Sequence, residues 1–156
     1  MNKYMKIAKD LAEDNLITNA GGPFGACVVK DGKIVGNGSN HVLMNNDPTA
    51  HAEVMAIRDA CKTLKTYDLS GCEIYTSCYP CPMCLSAIIW ANIKTIYYGN
   101  TQVEAAEIGF RDDFIYEYID KLREGVTGEL KITMLDHDET LETFKKFNDK
   151  KDKTIY

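Results

Sequence analysis

Three residues of this 156-residue chain have the chemistry to hold a metal ion, and a fourth has the chemistry to move protons beside it. One half of the pattern is His51-Ala52-Glu53, and the other is Pro80-Cys81-Pro82-Met83-Cys84. His51, Cys81 and Cys84 are good zinc ligands, and three ligands leave one position of a tetrahedral ion open. A zinc closed by four protein ligands is structural, whereas an open one holds water and brings its pKa down toward about 7. Glu53 is the carboxylate that such a water needs as a proton carrier. Two residues from His51, it does not share a helix face with it, so it is no obvious fourth ligand and can point to the other side of the water. No further histidine completes a closed site: His41 lies in a loop segment and His137 stands alone near the C-terminus. Two blander readings compete. His51 and Glu53 can be an ordinary capping pair with a closed zinc elsewhere on the C-x-x-C, or the C-x-x-C can be a redox pair, although that chemistry needs no His-x-Glu partner.

The elements that must position these residues are legible in the periodicity. Tyr4, Ala8, Leu11, Ala12 and Leu16 recur at helical spacing and predict an amphipathic first helix, ended by the breakers Asn19-Ala20-Gly21-Gly22-Pro23. Residues 24–30 and 33–38 read as strands around Asp31-Gly32, a strong hairpin signal. A polar loop through Asn45-Asn46-Asp47-Pro48 leads to a helix over 49–64, with His51 in its first turn. A strand over 73–78 runs into a short apolar helix over 81–91, whose start suits Pro80 and Pro82. A strand follows over 93–98, then two helical pieces within 104–122 broken near Gly109, a last strand over 129–135, a last helix over 140–148 and a polar tail. Strand-helix-strand units imply parallel pairing by right-handed crossovers, and the opening hairpin makes the sheet mixed. The expectation is one α/β domain over 1–156, a three-layer α/β/α sandwich around a central five-stranded mixed sheet. Both ligand groups then begin helices, whose N-termini favour the thiolate form of the cysteines.

Composition narrows the class. A hydrophobic fraction of 45% and a charged fraction of 26% are ordinary for a globular domain. No apolar run approaches the roughly 18 residues of a membrane span, and the N-terminus lacks an apolar signal region, so a cytoplasmic protein is expected. The net charge of −5 argues against a nucleic-acid substrate. Lys145, Lys146, Lys150, Lys151 and Lys153 are interrupted by Asp149 and Asp152 and read as a solvated helix end. Six cysteines in a chain of this length with no export signal are not read as disulfides. Cys27 and Cys61 read as core thiols, and Cys72 and Cys78 as structural.

His-x-Glu followed by Pro-Cys-x-x-Cys is the pattern of the zinc deaminases, in which activated water replaces an amine on a ring carbon. The likeness extends further. Asp47-Pro48-Thr49-Ala50-His51-Ala52-Glu53 with Ala56-Ile57-Arg58 resembles two branches of the cytidine-deaminase-like zinc hydrolases, the bacterial guanine deaminases and the tRNA adenosine deaminases. Gly21-Gly22-Pro23-Phe24-Gly25-Ala26, Tyr75-Thr76-Ser77-Cys78, Trp90 and the stretch from Gly109 to Tyr116 are similar to the guanine branch. One departure stands out: Tyr79 occupies the place before Pro80-Cys81 where that family commonly carries Glu.

The resemblance implies one zinc per subunit on His51, Cys81 and Cys84, with Glu53 as proton shuttle. It implies that Asn40 hydrogen-bonds the base, the Ala52 N–H faces its carbonyl, Phe24 packs against the ring, Asp112 contacts the substrate and Trp90 belongs to the substrate-binding set. It implies a homodimer whose C-terminal segment, about 136–156, is exchanged between subunits, so that Tyr156 reaches the neighbour's pocket with an acidic residue, Glu142 or its rival Glu139. Taken singly, Asn40 is as readily a turn residue, Phe24 and Trp90 core, Asp112 solvated and Tyr156 frayed. The reaction implied is guanine plus water to xanthine plus ammonia, with addition at C2 while Glu53 protonates the adjacent ring nitrogen and then the amine. The rivals are adenosine deamination in tRNA, deamination of cytosine or another amino-heterocycle, and a zinc-stabilised binding module without catalysis.

Overall fold

A computed structural model of the chain describes residues 1–155, so the expectation for Tyr156 lies outside the described residues. The chain forms two compact units, 1–116 and 117–156. In the first, α1 (Lys3–Thr18) is capped by the Asn2 side chain, which accepts from the Tyr4 and Met5 amides, and it ends on Asn19 in a left-handed conformation. β1 (Gly25–Lys30) and β2 (Lys33–Ser39) form the expected hairpin. Asp31 and Gly32 both have positive φ, at 49° and 74°, as the two-residue turn of a right-twisted hairpin requires. There follow α2 (Val42–Asn45), α3 (Ala52–Leu64), β3 (Cys72–Cys78), α4 (Pro82–Trp90), β4 (Thr95–Asn100) and α5 (Gln102–Glu107). α2 was not anticipated: at four residues it is too short to show a period, and left-handed Asn46 ends it.

The sheet has four strands in the order β2-β1-β3-β4, not five. β1 is antiparallel to both neighbours and β3 is parallel to β4, so β2, β3 and β4 share one direction. Their carboxyl ends meet at one edge, the place where open α/β sheets bind ligands. Alternation along β1 divides the core. Cys27 and Val29 pack with Tyr75 against Tyr4, Met5 and Ile7 of α1. Ala26 and Val28 pack with Ile74 against Ala52, Ala56 and Ala60 of α3 and Ile88 of α4. Helices thus cover both faces, as expected.

The strand expected over 129–135 is absent from the second unit. Leu130, Ile132 and Met134 alternate as a strand would, but an alternating pattern meets only half of the condition. The other half is a ladder partner, and the segment pairs with none of the described strands. α6 (Asp113–Arg123) runs across the boundary of the two units, and α7 (His137–Asp149) lies within the second. No helix among the described residues is long and apolar enough to cross a membrane.

α3 lies unusually close to β2. A Cβ at Gly36 or Gly38 would collide with the backbone of Ala52, Ala56 and Ala60. Gly38→Ala is therefore expected to lower stability by about 1–3 kcal/mol, read as a lower urea midpoint at unchanged slope.

Candidate active site

His51 is the N-cap of α3 and Cys81 the N-cap of α4, and neither side chain makes a capping hydrogen bond. Both point at a common centre instead. The His51 Nδ1 atom stands 3.6 Å from Cys81 Sγ and 3.5 Å from Cys84 Sγ. The three ligand atoms lie within 4.8 Å of one another. Zinc bonds of about 2.3 Å to sulfur and about 2.0 Å to nitrogen, at a tetrahedral angle, separate N and S by about 3.5 Å. The donor set therefore fits zinc in both chemistry and spacing.

Glu53 sits in the first turn of α3 and is only 6% exposed. Its Oε1 accepts from the Thr76 hydroxyl at 3.1 Å, and its Oε2 accepts from the Cys84 thiol at 3.3 Å. Thr76 is there because β3 alternates: Ile74 and Thr76 face α3, the first in the core and the second at the edge of the site. Burial pushes the Glu53 carboxyl above its ordinary range, against the hydrogen bonds it accepts. The Cys81 thiol is drawn down to about 4, chiefly by its contact with Cys84 and further by His51. Cys84 moves up through the same contact and through burial. A divalent cation takes the place of the thiol protons and lets both sulfurs ligate as thiolates. His51 is pushed up, first by its contact with Cys81.

The site opens into a cavity of about 870 Å³. Phe24, Asn40 and Asp112, inferred from the sequence, line it together with His51, Glu53 and Cys81. The Phe24 ring meets Phe110 edge-on, with centroids 4.9 Å apart at 90°. Asn40 is buried, its Oδ1 accepting from the Val42 amide at 3.1 Å. Ala52, fully buried, opens α3, where first-turn N–H groups lack an acceptor within the helix. The Asp112 carboxyl is half-buried and pushed up by that burial and by the charge of Cys81. Tyr79 also lines the cavity, edge-on to Tyr98.

Of the expected residues in the first unit, Trp90 does not line this cavity. Trp90 is the last residue of α4, more than two turns from Cys81, and 71% exposed. Glu142 lies on α7 in the second unit, where it accepts a hydrogen bond from Lys145, and Glu139 in the first turn of the same helix is exposed. None of the six cysteines is in a disulfide; Cys78 borders the cavity, Cys27 and Cys72 are buried and Cys61 is half-buried.

Asn15 was missed by sequence reasoning. Buried in α1, it donates to the carbonyls of Gly22 at 2.9 Å and Asn40 at 2.7 Å. It ties the loop before β1 to the end of β2 and so fixes the wall that carries Phe24 and Asn40. Nothing in the local pattern marks it, because an asparagine near a helix end reads as a surface residue. Thr76 was missed in the same way, since its role depends on Glu53, distant in sequence.

Residues 1–100 match the cytidine and deoxycytidylate deaminase zinc-binding region. The chain is 48% identical over 150 residues to the guanine deaminase of Bacillus subtilis, covering 96% of each. The X-ray structure of guanine deaminase from Bacillus subtilis superposes with a TM-score of 0.90 at 47% identity, covering 100% of this chain and 99% of that one. A tRNA-specific adenosine deaminase of Haemophilus influenzae is 36% identical over 117 residues, 74% of this chain and 67% of its own.

Asn15→Ala leaves the Asn40 carbonyl without its donor and the Gly22 carbonyl with the Phe24 amide alone. It is expected to cost about 2 kcal/mol of stability and to raise KM for the substrate more than it lowers kcat. Denaturant unfolding and steady-state kinetics read the two effects separately.

Proposed function

The chain belongs to the cytidine and deoxycytidylate deaminase zinc-binding family, and on that premise we propose that it is a hydrolase converting guanine and water to xanthine and ammonia. The near full-length likeness to a guanine deaminase carries this reading. The cavity supports it with the apolar rings of Phe24 and Phe110 beside the polar side chains of Asn40, Glu53 and Asp112, the usual composition of a small-molecule site.

Zinc on His51, Cys81 and Cys84 supplies a Lewis acid that makes water a nucleophile near neutral pH. Phe24 offers a ring face to the purine, braced by Phe110. The Asn40 Oδ1 is committed to the Val42 amide, so its amide N–H groups are the donors left for an acceptor on the base. The Ala52 N–H adds a donor at the positive end of α3, suited to the base carbonyl. Asp112 accepts from an N–H of the base. Glu53 takes a proton from the attacking water and delivers it to the ring nitrogen beside C2. It then carries the second proton to the amine, which leaves as ammonia as the C2–N bond breaks. Burial suits it to holding a proton during the exchange, and the Thr76 hydroxyl keeps one of its oxygens fixed.

The decisive measurement is ammonia release from a panel of guanine, adenine, cytosine, guanosine and tRNA. Guanine turnover is expected, and Glu53→Gln should lower it at least about a hundredfold with zinc content unchanged. Turnover of cytosine or tRNA with none of guanine overturns the reading, and zinc binding with no ammonia from any base identifies a binding module.

The proposal includes a homodimer in which about 136–156 is exchanged, carrying Glu142 and Tyr156 to the partner's site. The second unit supports this reading. α7 buries none of its residues, and Ile132, Met134, Leu135 and Phe144 are exposed apolar side chains in want of cover. Sedimentation is expected to give twice the chain mass, and a stable monomer excludes the exchange.

A further inference from the structure

The turn that leads into α3 is built on one carboxylate. Asp47 Oδ1 accepts two hydrogen bonds from Thr49, from its amide at 2.8 Å and from its hydroxyl at 2.7 Å. The Asp47 carbonyl accepts the Ala50 amide at 3.1 Å, which closes a turn over 47–50. Asp47 and Pro48 suit its first two places, because proline presets φ and an aspartate side chain bonds the amide two residues on. The loop before β3 carries the same device: Asp68 Oδ1 accepts from the Ser70 amide at 3.0 Å and from the Ser70 hydroxyl at 2.5 Å.

The two turns differ in what they hold. The Thr49 carbonyl accepts the His51 amide at 2.8 Å, and the Ala50 carbonyl accepts the His41 amide at 2.9 Å. His51 is the N-cap of α3, and its own carbonyl accepts the Met55 amide at 2.9 Å. The helix therefore holds His51 on one side, and Thr49, itself held by Asp47, holds it on the other. The atom that His51 turns to the two sulfurs is Nδ1. Nδ1 lies two bonds beyond Cβ, so only χ1 and χ2 stand between the backbone and the ligand atom. A shift of the His51 backbone passes to Nδ1 almost undiminished, whereas zinc bonds hold to within about 0.2 Å. Asp47 Oδ2 stands 3.7 Å from Arg58 Nη1 on α3, but both side chains reach solvent, and such a pair contributes little. Asp47 thus acts chiefly through Oδ1 as an acceptor.

We infer that Asp47 is a positioning residue for the zinc ligand His51, acting through Thr49. The inference rests on the metal site and is independent of which base is deaminated. Asp47 does not line the cavity, and its effect passes along the backbone from Thr49 to His51. The alternative is a turn like that of Asp68, which stabilises the chain without bearing on the metal.

Zinc affinity of the full chain separates the two roles. It is measured by competition with a chromogenic chelator, and the urea midpoint of each metal-free variant reports folding. Asp47→Ala is expected to weaken zinc binding about tenfold, the scale seen for groups that orient metal ligands. Asp47→Asn keeps an acceptor oxygen and should stay within about twofold of the unaltered chain. Asp68→Ala breaks the matching turn at the other end of β3 from Cys81; it should lower the urea midpoint and leave zinc affinity within about twofold. Thr49→Val removes the hydroxyl alone and should weaken zinc binding about threefold, which decides the matter if Asp47→Ala does not fold. Unchanged zinc affinity in Asp47→Ala, or in Thr49→Val where it stands in, overturns the inference. An equal loss in Asp68→Ala, or a loss in Asp47→Asn as large as in Asp47→Ala, overturns it too. An unaltered chain that binds no zinc overturns the metal site and takes this inference with it.

Discussion

The site depends on how closely α3 can lie on the sheet. Ala52, Ala56 and Ala60 recur every four residues and form one smooth face, and Gly36 and Gly38 of β2 present no side chain to it. The helix axis is thereby drawn down onto the strands. At that depth the first turn of α3 delivers Glu53 to Thr76 of β3 and His51 to the two sulfurs of α4. A bulkier residue on either surface would raise the helix and part His51 from Cys81 and Cys84, since the ligands stand on different helices. Alanine and glycine bury less apolar area than larger residues, so this seating gives up some hydrophobic stabilisation for position.

The electrostatics run in the same direction. A carboxyl and two cysteine sulfurs share a largely buried site, where burying charge without a partner is costly. The Cys84 thiol donates its one hydrogen to Glu53, and burial raises the pKa of both groups. The N-cap places of α3 and α4 are held by His51 and Cys81, which make no capping bond. A serine or aspartate there stabilises a helix by about 1 kcal/mol. Those side chains are turned away from their own helices toward a shared centre. That arrangement makes sense only where a metal offsets both losses, the absent caps and the crowded acids.

Most of the site was legible because its chemistry is local in sequence. His51-Ala52-Glu53 and Cys81-Pro82-Met83-Cys84 each fall within one turn at a helix start, and Pro80 and Pro82 mark that start. The strands of the first unit were legible because alternation coincided with a paired ladder. Residues 129–135 carry alternation without a ladder, and the sequence does not say whether a partner strand exists. Asn15 and Thr76 escaped notice for a related reason. Each bonds a residue 23 or 25 positions away, and only the folded sheet brings such pairs together. Trp90 was assigned by likeness of sequence, and the length of α4 carries it away from the cavity.

Tyr79 bears on what the cavity selects. It stands beside the ligands, where the resembled family commonly carries Glu, and its ring is braced edge-on by Tyr98 with centroids 5.1 Å apart. The surrounding pocket already holds Glu53, Asp112 and two sulfurs, and the charge of Cys81 raises both carboxyls. A carboxylate at position 79 would add to that crowding, whereas a phenol adds apolar area and a neutral hydroxyl. The cost of negative charge at the mouth therefore falls, and with it the bias toward substrates that bring a compensating positive group. Selection then shifts to shape and hydrogen bonding, for which the cavity offers the Phe24 ring and the polar side chains of Asn40 and Asp112. Such a site discriminates best against ligands that leave those buried polar groups unpaired, because each unpaired group forfeits its full desolvation cost.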